Sequence, residues 1–231
     1  LIELYEGIHE AISRYGGVIV GGDVVNSPVF FVNVAMQGTP SKKGNRDYSP
    51  ILPRNSASPG DLIAVTGKLG CSAAGLHMLK NGLDFDDSTM NHFLQAHLRP
   101  FPRIDAGVSF AINGATSAID ISDGLLNDLL KLIQYSRVDA LLKINTLPVD
   151  DFLQKSYPTQ WLDFAVNGGE DYELIVTASQ KTIEKVIDEV NLPVTIIGEI
   201  LEGSGSLKII DRHGENMSFA QKGWDHYSES I

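Results

Sequence analysis

Apolar residues recur at near-helical spacing from the first position, with Leu1, Leu4, Tyr5, Ile8, Ile12 and Tyr15 followed by the stop signal Gly16-Gly17. The pattern predicts a helix over residues 1–15. No N-cap, initiator Met or signal-peptide pattern precedes the periodic run, so a longer natural chain upstream is expected. Residues 18–22 (VIVGG) and 29–38 (VFFVNVAMQG) are apolar and rich in β-formers. They predict two strands of one sheet, joined by a loop over residues 23–28. From 39 to 60 the chain carries Pro40, Pro50, Pro53 and Pro59 and loses all periodicity. That predicts a long connection, with a domain division into residues 1–52 and 53–231.

Beyond it, strands are predicted over residues 61–67, 117–122, 140–145, 172–178 and 194–200, and helices over 72–80, 125–135 and 181–190. The last helix places Ile183, Val186, Ile187 and Val190 on one face. Strands and helices alternate without the even spacing of a doubly wound sheet, which predicts an α+β fold. In HLRPFPRI, Pro100 and Pro102 mark a helix boundary, and His97, Arg99 and Arg103 are read as satisfying nearby carbonyls or carboxylates.

Charge narrows the function classes. With 18 basic against 29 acidic residues, the field of the chain repels nucleic-acid phosphates and excludes nucleic acid as an expected partner. The same carboxylates permit Mg²⁺ sites. No run approaches the roughly 20 apolar residues of a membrane-spanning helix, and the single cysteine, Cys71, forbids an internal disulfide. No membrane partner and a cytoplasmic setting are expected. Cys71 has no CxxC or His pair near it in sequence and is read as a small core residue.

Three acidic corners could carry chemistry. VIVGGDVV ends an apolar run in Gly21-Gly22-Asp23, either a simple turn or a place where a ligand approaches backbone beside a carboxylate. In SAIDISDGLLNDLL, a period of two sends Asp120 and Ser122 to one face with Asp123 at the strand-to-helix corner. Capping of the following helix by Ser122 or Asp123 is the alternative there. An aspartate inside apolar SAIDIS is costly to bury without a compensating cation, and Mg²⁺ is one. NGGEDYELIVT presents Glu170 and Asp171 after a Gly-Gly turn. TGKLGCSAAGL either offers free N–H groups to a phosphate or packs a small-residue helix closely. Acidic corners with glycine turns suit phosphoryl transfer, which needs cations and positioning more than a protein nucleophile, so no catalytic nucleophile is expected. The chain contains no GxxxxGK[ST] loop and no HRD set.

The ordered set YEGI, VGGDVVNSP, SASPGDLIAVTGKLGCSAAGL, HLRPFPRI, SAIDISDGLLNDL, NGGEDYEL and KGWDHY runs from Tyr5 to Tyr227. It resembles the thiamine-monophosphate kinase family, within the aminoimidazole-ribonucleotide synthetase-like superfamily. The resemblance implies a two-domain architecture with an incomplete N-terminal domain over residues 1–52, which binds ATP and Mg²⁺ and forms a homodimer. It also implies direct, Mg²⁺-assisted phosphorylation of thiamine phosphate by ATP. Residue by residue, it puts Tyr5, Gly22, Asp23, Arg54 and Ser122 at ATP, and Asp23, Asp120 and Asp123 at metal. Glu170 and Trp224 fall at the thiamine part of the substrate, where an aromatic ring and a carboxylate suit a cationic thiazolium and an aminopyrimidine.

Two departures stand out: Val24 follows GGD where the family commonly has threonine, and residues 41–48 look like an insertion before Arg54. The family's upstream segment, with further Mg²⁺-binding acids and substrate contacts, is not part of this sequence. Two other readings therefore remain beside the kinase: another ATP-using enzyme of the superfamily, and a non-catalytic nucleotide-binding module.

Overall fold

The computed structural model describes residues 1–40 and 51–219. The chain divides into two units, Leu1–Thr39 and Pro40–Ile231.

In the first unit, α1 (Ile2–Tyr15) forms where the apolar period predicts it and stops at Gly16, whose φ of 86° closes the helix with an N–H bond to the Ile12 carbonyl. The two predicted strands do not form. Residues 18–40 carry no strand, and Val20, Phe30 and Met36 are exposed. A β-former becomes a strand only where a neighbour supplies ladder bonds, and none does among the described residues.

The second unit is built on one sheet: β1 (Leu62–Thr66), β2 (Ser117–Asp120), β3 (Asp139–Lys143), β4 (Leu174–Ala178), β5 (Val194–Leu201) and β6 (Leu207–Ile210). The order is β2-β4-β1-β5-β3-β6, all antiparallel except β3 beside β6. The α+β expectation is met. Helices α2 (Cys71–Asn81), α3 (Asp87–Leu98), α4 (Ile104–Asn113), α5 (Leu125–Ser136), α6 (Asp151–Ser156), α7 (Trp161–Asn167) and α8 (Gln180–Glu189) complete it. Among the described residues no helix is long and apolar enough to cross a membrane.

Alternation along the strands explains how the sheet is covered. Ile63, Val65 and Ile175 join the larger core with Leu125, Leu129, Leu132 and Ile133 of α5. Their neighbours Ala64, Val176 and Ala178 point the other way, to Phe110 of α4 and to Ile183 and Val186 of α8. With helices on both faces, central β1 is buried almost throughout rather than at every second residue. A third cluster, with Cys71, Met78, Phe93, Leu153 and Tyr157, holds α2, α3 and α6 together.

The departures have local causes. The strand predicted from Tyr172 starts at Leu174, because Glu170 and Tyr172 adopt φ of 67° and 51° and no strand runs through left-handed backbone. β2 stops at Asp120, so Ser122 lies past the strand and cannot share its face by strand alternation. α3 escaped the apolar pattern because it buries only Thr89 and Phe93. Its start is fixed instead by Asp86, whose carboxylate accepts the Thr89 N–H. Pro100 and Pro102 do separate two helices, α3 and α4.

Candidate active site

Two corners meet at one end of the sheet. The first runs from Asp120 at the end of β2 to Gly124 before α5; the second runs from Gly168 to Glu173, between α7 and β4. Backbone bonds stitch them together. The Glu170 N–H donates to the Ser122 carbonyl at 2.9 Å, the Tyr172 N–H to the Ile121 carbonyl at 2.9 Å, and the Ile121 N–H to the Glu173 carbonyl at 2.8 Å. The approach needs glycine: a Cβ on Gly169 would lie 2.5 Å from the Ser122 carbonyl oxygen.

Negative charge gathers at this junction. The Tyr172 hydroxyl donates to Glu170 at 3.3 Å. Its phenol is pushed above the ordinary tyrosine range by burial first, then by Glu170, with Asp120 and Asp123 adding to the effect. One phenol therefore feels three carboxylates. Cations answer them: Arg54 lies 3.9 Å from Asp120, and the Lys131 ammonium donates to Asp123 and, at 2.8 Å, to Asp128.

Two expectations about this corner are corrected. Asp120 is not buried inside an apolar strand; at the end of edge strand β2 its side chain is 43% exposed. No cation is needed to offset a burial cost. Nor does Ser122 or Asp123 cap α5. Asp128, buried inside the helix, reaches back to accept the N–H groups of Ser122 at 3.0 Å and Asp123 at 2.8 Å. Asp120 and Asp123 are thereby spared from satisfying the corner backbone and face Arg54 and Lys131 instead. Asp128 and Lys131 are three apart on one helix face, a signal present in NDLLKL that only the fold connects to the corner.

The donor set fits Mg²⁺. This ion binds through one or two carboxylates and completes its octahedron with water and phosphate oxygens rather than with a closed protein cage. Asp120 and Asp123 offer open carboxylates of that kind, and among the described residues they belong to no compact group of three ligand atoms.

Behind the junction, the Gly67–Gly70 loop proves to be structural. The Gly70 and Ser72 N–H groups, read as a possible phosphate cradle, donate to Asp171 at 2.7 and 3.2 Å. A protein carboxylate already holds the anion position at the start of α2. The close-packing reading is the one realised, since a Cβ on Gly75 would lie 2.4 Å from the Phe93 carbonyl oxygen of α3. Burial pushes the Asp171 carboxyl up to about 7, against the opposing pull of its two N–H donors. The sign follows: the folded state keeps this proton where the unfolded chain, with an ordinary carboxyl near ~3.9, has lost it. The stability Asp171 contributes is thus full below that ordinary value, declines as pH rises, and levels off above about 7. Urea unfolding of wild type and Asp171→Asn across this window should show the difference narrowing with pH; a constant difference would mean the carboxyl is not raised.

Glu173, the next inward acid, is buried. Arg103 holds it with a two-point pair, Nε at 2.7 Å and Nη2 at 2.5 Å, and the Thr66 hydroxyl donates to it at 2.6 Å. This bears out the reading of Arg103 as a partner for a carboxylate. The Ser72 hydroxyl lies 3.0 Å from His97 Nδ1.

Three of the sequence candidates lie in the first unit. Tyr5 stands on α1 with its hydroxyl near the Gly22 backbone. Asp23 accepts the N–H of its neighbour Val24 at 2.8 Å. Trp224 and residues 41–48 lie outside the described residues.

Residues 58–210 match the family described as AIR synthase related protein, C-terminal domain. Thiamine-monophosphate kinase of Escherichia coli K12 is 34% identical over 231 residues, covering 96% of this chain and 67% of the relative. That of Bacillus subtilis 168 is 32% identical over 229 residues, covering 97% and 69%. The chain belongs to the thiamine-monophosphate kinase family. Solved kinases of this family share the architecture. The Stenotrophomonas maltophilia K279a enzyme superposes with a TM-score of 0.64 at 31% identity, covering 72% of this chain and 54% of that one. AaThiL complexed with AMPPCP and TMP gives 0.65 at 32% identity, covering 76% and 54%. The chain spans about two thirds of the length of its curated kinase relatives, 66% of that from Buchnera aphidicola (Schizaphis graminum).

Proposed function

We propose that this chain carries part of the site at which an ATP-dependent kinase converts thiamine phosphate to thiamine diphosphate. The observation that carries the reading is the stitched pair of corners, which gathers Asp120, Asp123 and Glu170 around Tyr172. Membership of the kinase family, and a relative complexed with AMPPCP and TMP, support it.

In this reading Asp120 and Asp123 would hold Mg²⁺, which when bound would neutralise the phosphate chain and polarise the transferring phosphoryl group; the family resemblance adds Asp23 of the first unit as a metal residue. Tyr5, Gly22, Arg54 and Ser122 hold ATP. Arg54 and Lys131, each beside one of these aspartates, would exchange a carboxylate for phosphate oxygens. Glu170 and Trp224 take the thiamine part of the substrate, whose own phosphate oxygen attacks in line without a phosphoenzyme. Residues 1–52 are the remainder of an N-terminal domain and 53–231 the C-terminal domain. The whole protein works as a cytoplasmic homodimer.

The deciding experiment is an assay of the full-length gene product for ADP and thiamine diphosphate, with ATP, Mg²⁺ and thiamine phosphate supplied together. Formation of both is expected; ADP without thiamine diphosphate would point to another acceptor and overturn the assignment. Glu170 is exposed, and its side chain is held only by the Tyr172 hydroxyl among the bonds described. Glu170→Ala should therefore raise the Kd for thiamine phosphate about tenfold or more while leaving ATP binding nearly intact. Calorimetric titration with each ligand checks this, and equal losses for the two would remove Glu170 from the substrate side.

A further inference from the structure

Away from the acidic junction, three side chains from three elements converge. Cys71 is the first residue of α2, His92 lies within α3, and Asp150 is the N-cap of α6. Cys71 Sγ lies 3.7 Å from His92 Nε2, which in turn lies 3.5 Å from Asp150 Oδ2, and all three ligand atoms fall within 4.8 Å of one another. Among the described residues no other group of cysteine, histidine and carboxylate atoms is so compact.

We propose that Cys71, His92 and Asp150 form a site for a borderline-soft divalent metal ion of the Zn²⁺ class, with its fourth position open to water. In a tetrahedral site, Zn–S bonds of about 2.3 Å and Zn–N or Zn–O bonds of about 2.0–2.2 Å place neighbouring ligand atoms roughly 3.3–3.6 Å apart. The Cys71–His92 and His92–Asp150 separations, 3.7 and 3.5 Å, need only a few tenths of an ångström of closure, and Cys71 lies within 4.8 Å of Asp150. A thiol, an imidazole and one carboxylate select such a metal over hard Mg²⁺, so this site is chemically distinct from the phosphoryl-transfer site.

The surroundings hold the ligands in place. The His92 ring stacks on Phe152 at 4.6 Å, which fixes the direction of Nε2. Asp150 Oδ1 accepts the Phe152 N–H at 2.8 Å, leaving Oδ2 to face the cluster. Cys71 is buried, and the metal enters past His92, whose side chain is 36% exposed. A cation already occupies part of this space: the half-exposed Lys68 ammonium donates to Asp150 Oδ2 at 3.0 Å. Its flexible stem can swing into solvent when a metal arrives. Burial pushes the Cys71 thiol up to about 12, so it stays protonated without a metal and releases that proton on binding. Sequence spacing hid the site, because residues 71, 92 and 150 form no ligand motif until α2, α3 and α6 pack together.

The test uses Co²⁺ as a spectroscopic probe on the chelator-treated chain. Cys71 is the only cysteine, so a thiolate-to-cobalt charge-transfer band reports this residue alone. We expect the band to saturate at one equivalent with strong four-coordinate visible absorption, and to bleach on adding Zn²⁺. Cys71→Ser should abolish it, and His92→Ala and Asp150→Asn should each weaken Co²⁺ binding at least about tenfold. Asparagine keeps the N-cap of α6, so that variant should fold. Lys68→Ala should act in the opposite direction and tighten binding about tenfold by removing a competing cation. Zn²⁺ should also raise the Tm of the wild-type chain but not of Cys71→Ser. No charge-transfer band with excess Co²⁺ would overturn the proposal. So would a band whose affinity is unchanged in both His92→Ala and Asp150→Asn, which would make Cys71 a solitary thiol ligand.

Discussion

Asp120→Ala in the full-length protein should lower kcat by at least about a hundredfold, because a carboxylate that holds a metal acts on the charge developing during transfer. Its stability should hardly change. Asp120 stands at the end of an edge strand with its side chain 43% exposed, and the ion partner it would lose, Arg54, is 3.9 Å away and more exposed still. A surface pair of that kind contributes about 0–1 kcal/mol. Steady-state ADP formation at saturating Mg²⁺ and ATP, beside a thermal unfolding curve, separates the two effects. Near wild-type turnover with an unchanged melting curve would show that Asp120 holds no metal. A collapse of both would show that the corner is structural rather than functional.

The largest loss of stability is expected at Arg103, which holds Glu173 at the end of the second corner. Arg103→Ala leaves the Glu173 carboxylate buried with the Thr66 hydroxyl but without its two guanidinium bonds. Breaking a buried pair from one side costs about 3–5 kcal/mol, since the remaining charge has lost its counter-ion. The loop at Gly67 passes directly over the carboxylate, since a Cβ there would sit 1.9 Å from it. Urea unfolding should show a lower midpoint at an unchanged m-value. Adding Glu173→Gln to Arg103→Ala should recover part of the loss by removing the stranded charge. A single variant as stable as wild type would mean that water reaches Glu173.

Local chemistry made the second unit legible. α2, α5, α8 and the five strands expected beyond residue 60 all lie within a few residues of their predicted positions, because apolar period and glycine corners act over short distances. The turn before Glu170 and Asp171 was legible for the same reason: a Gly-Gly pair marks a corner wherever the chain folds. Residues 18–38 show the limit of that reasoning. Their composition favours strands, yet a strand is a relation between two segments, and no neighbour supplies the other half among the described residues.

What only tertiary structure decided is which polar groups meet. The same three acids of NGGEDYEL receive different fates: Glu170 faces outward beside Tyr172, Asp171 turns in to the N–H groups of Gly70 and Ser72, and Glu173 is sealed against Arg103. Nothing local separates them, since their side-chain partners lie 70 to 107 residues away for the two that turn inward. Likewise Asp128 rather than Ser122 or Asp123 satisfies the corner backbone, and Cys71 finds His92 and Asp150 only when three helices pack. The sequence by itself determined the elements and the kinds of chemistry available, through periodicity and residue type. The fold determined the pairings, because charge and hydrogen bonding act across a few ångströms of space, whatever the distance along the chain.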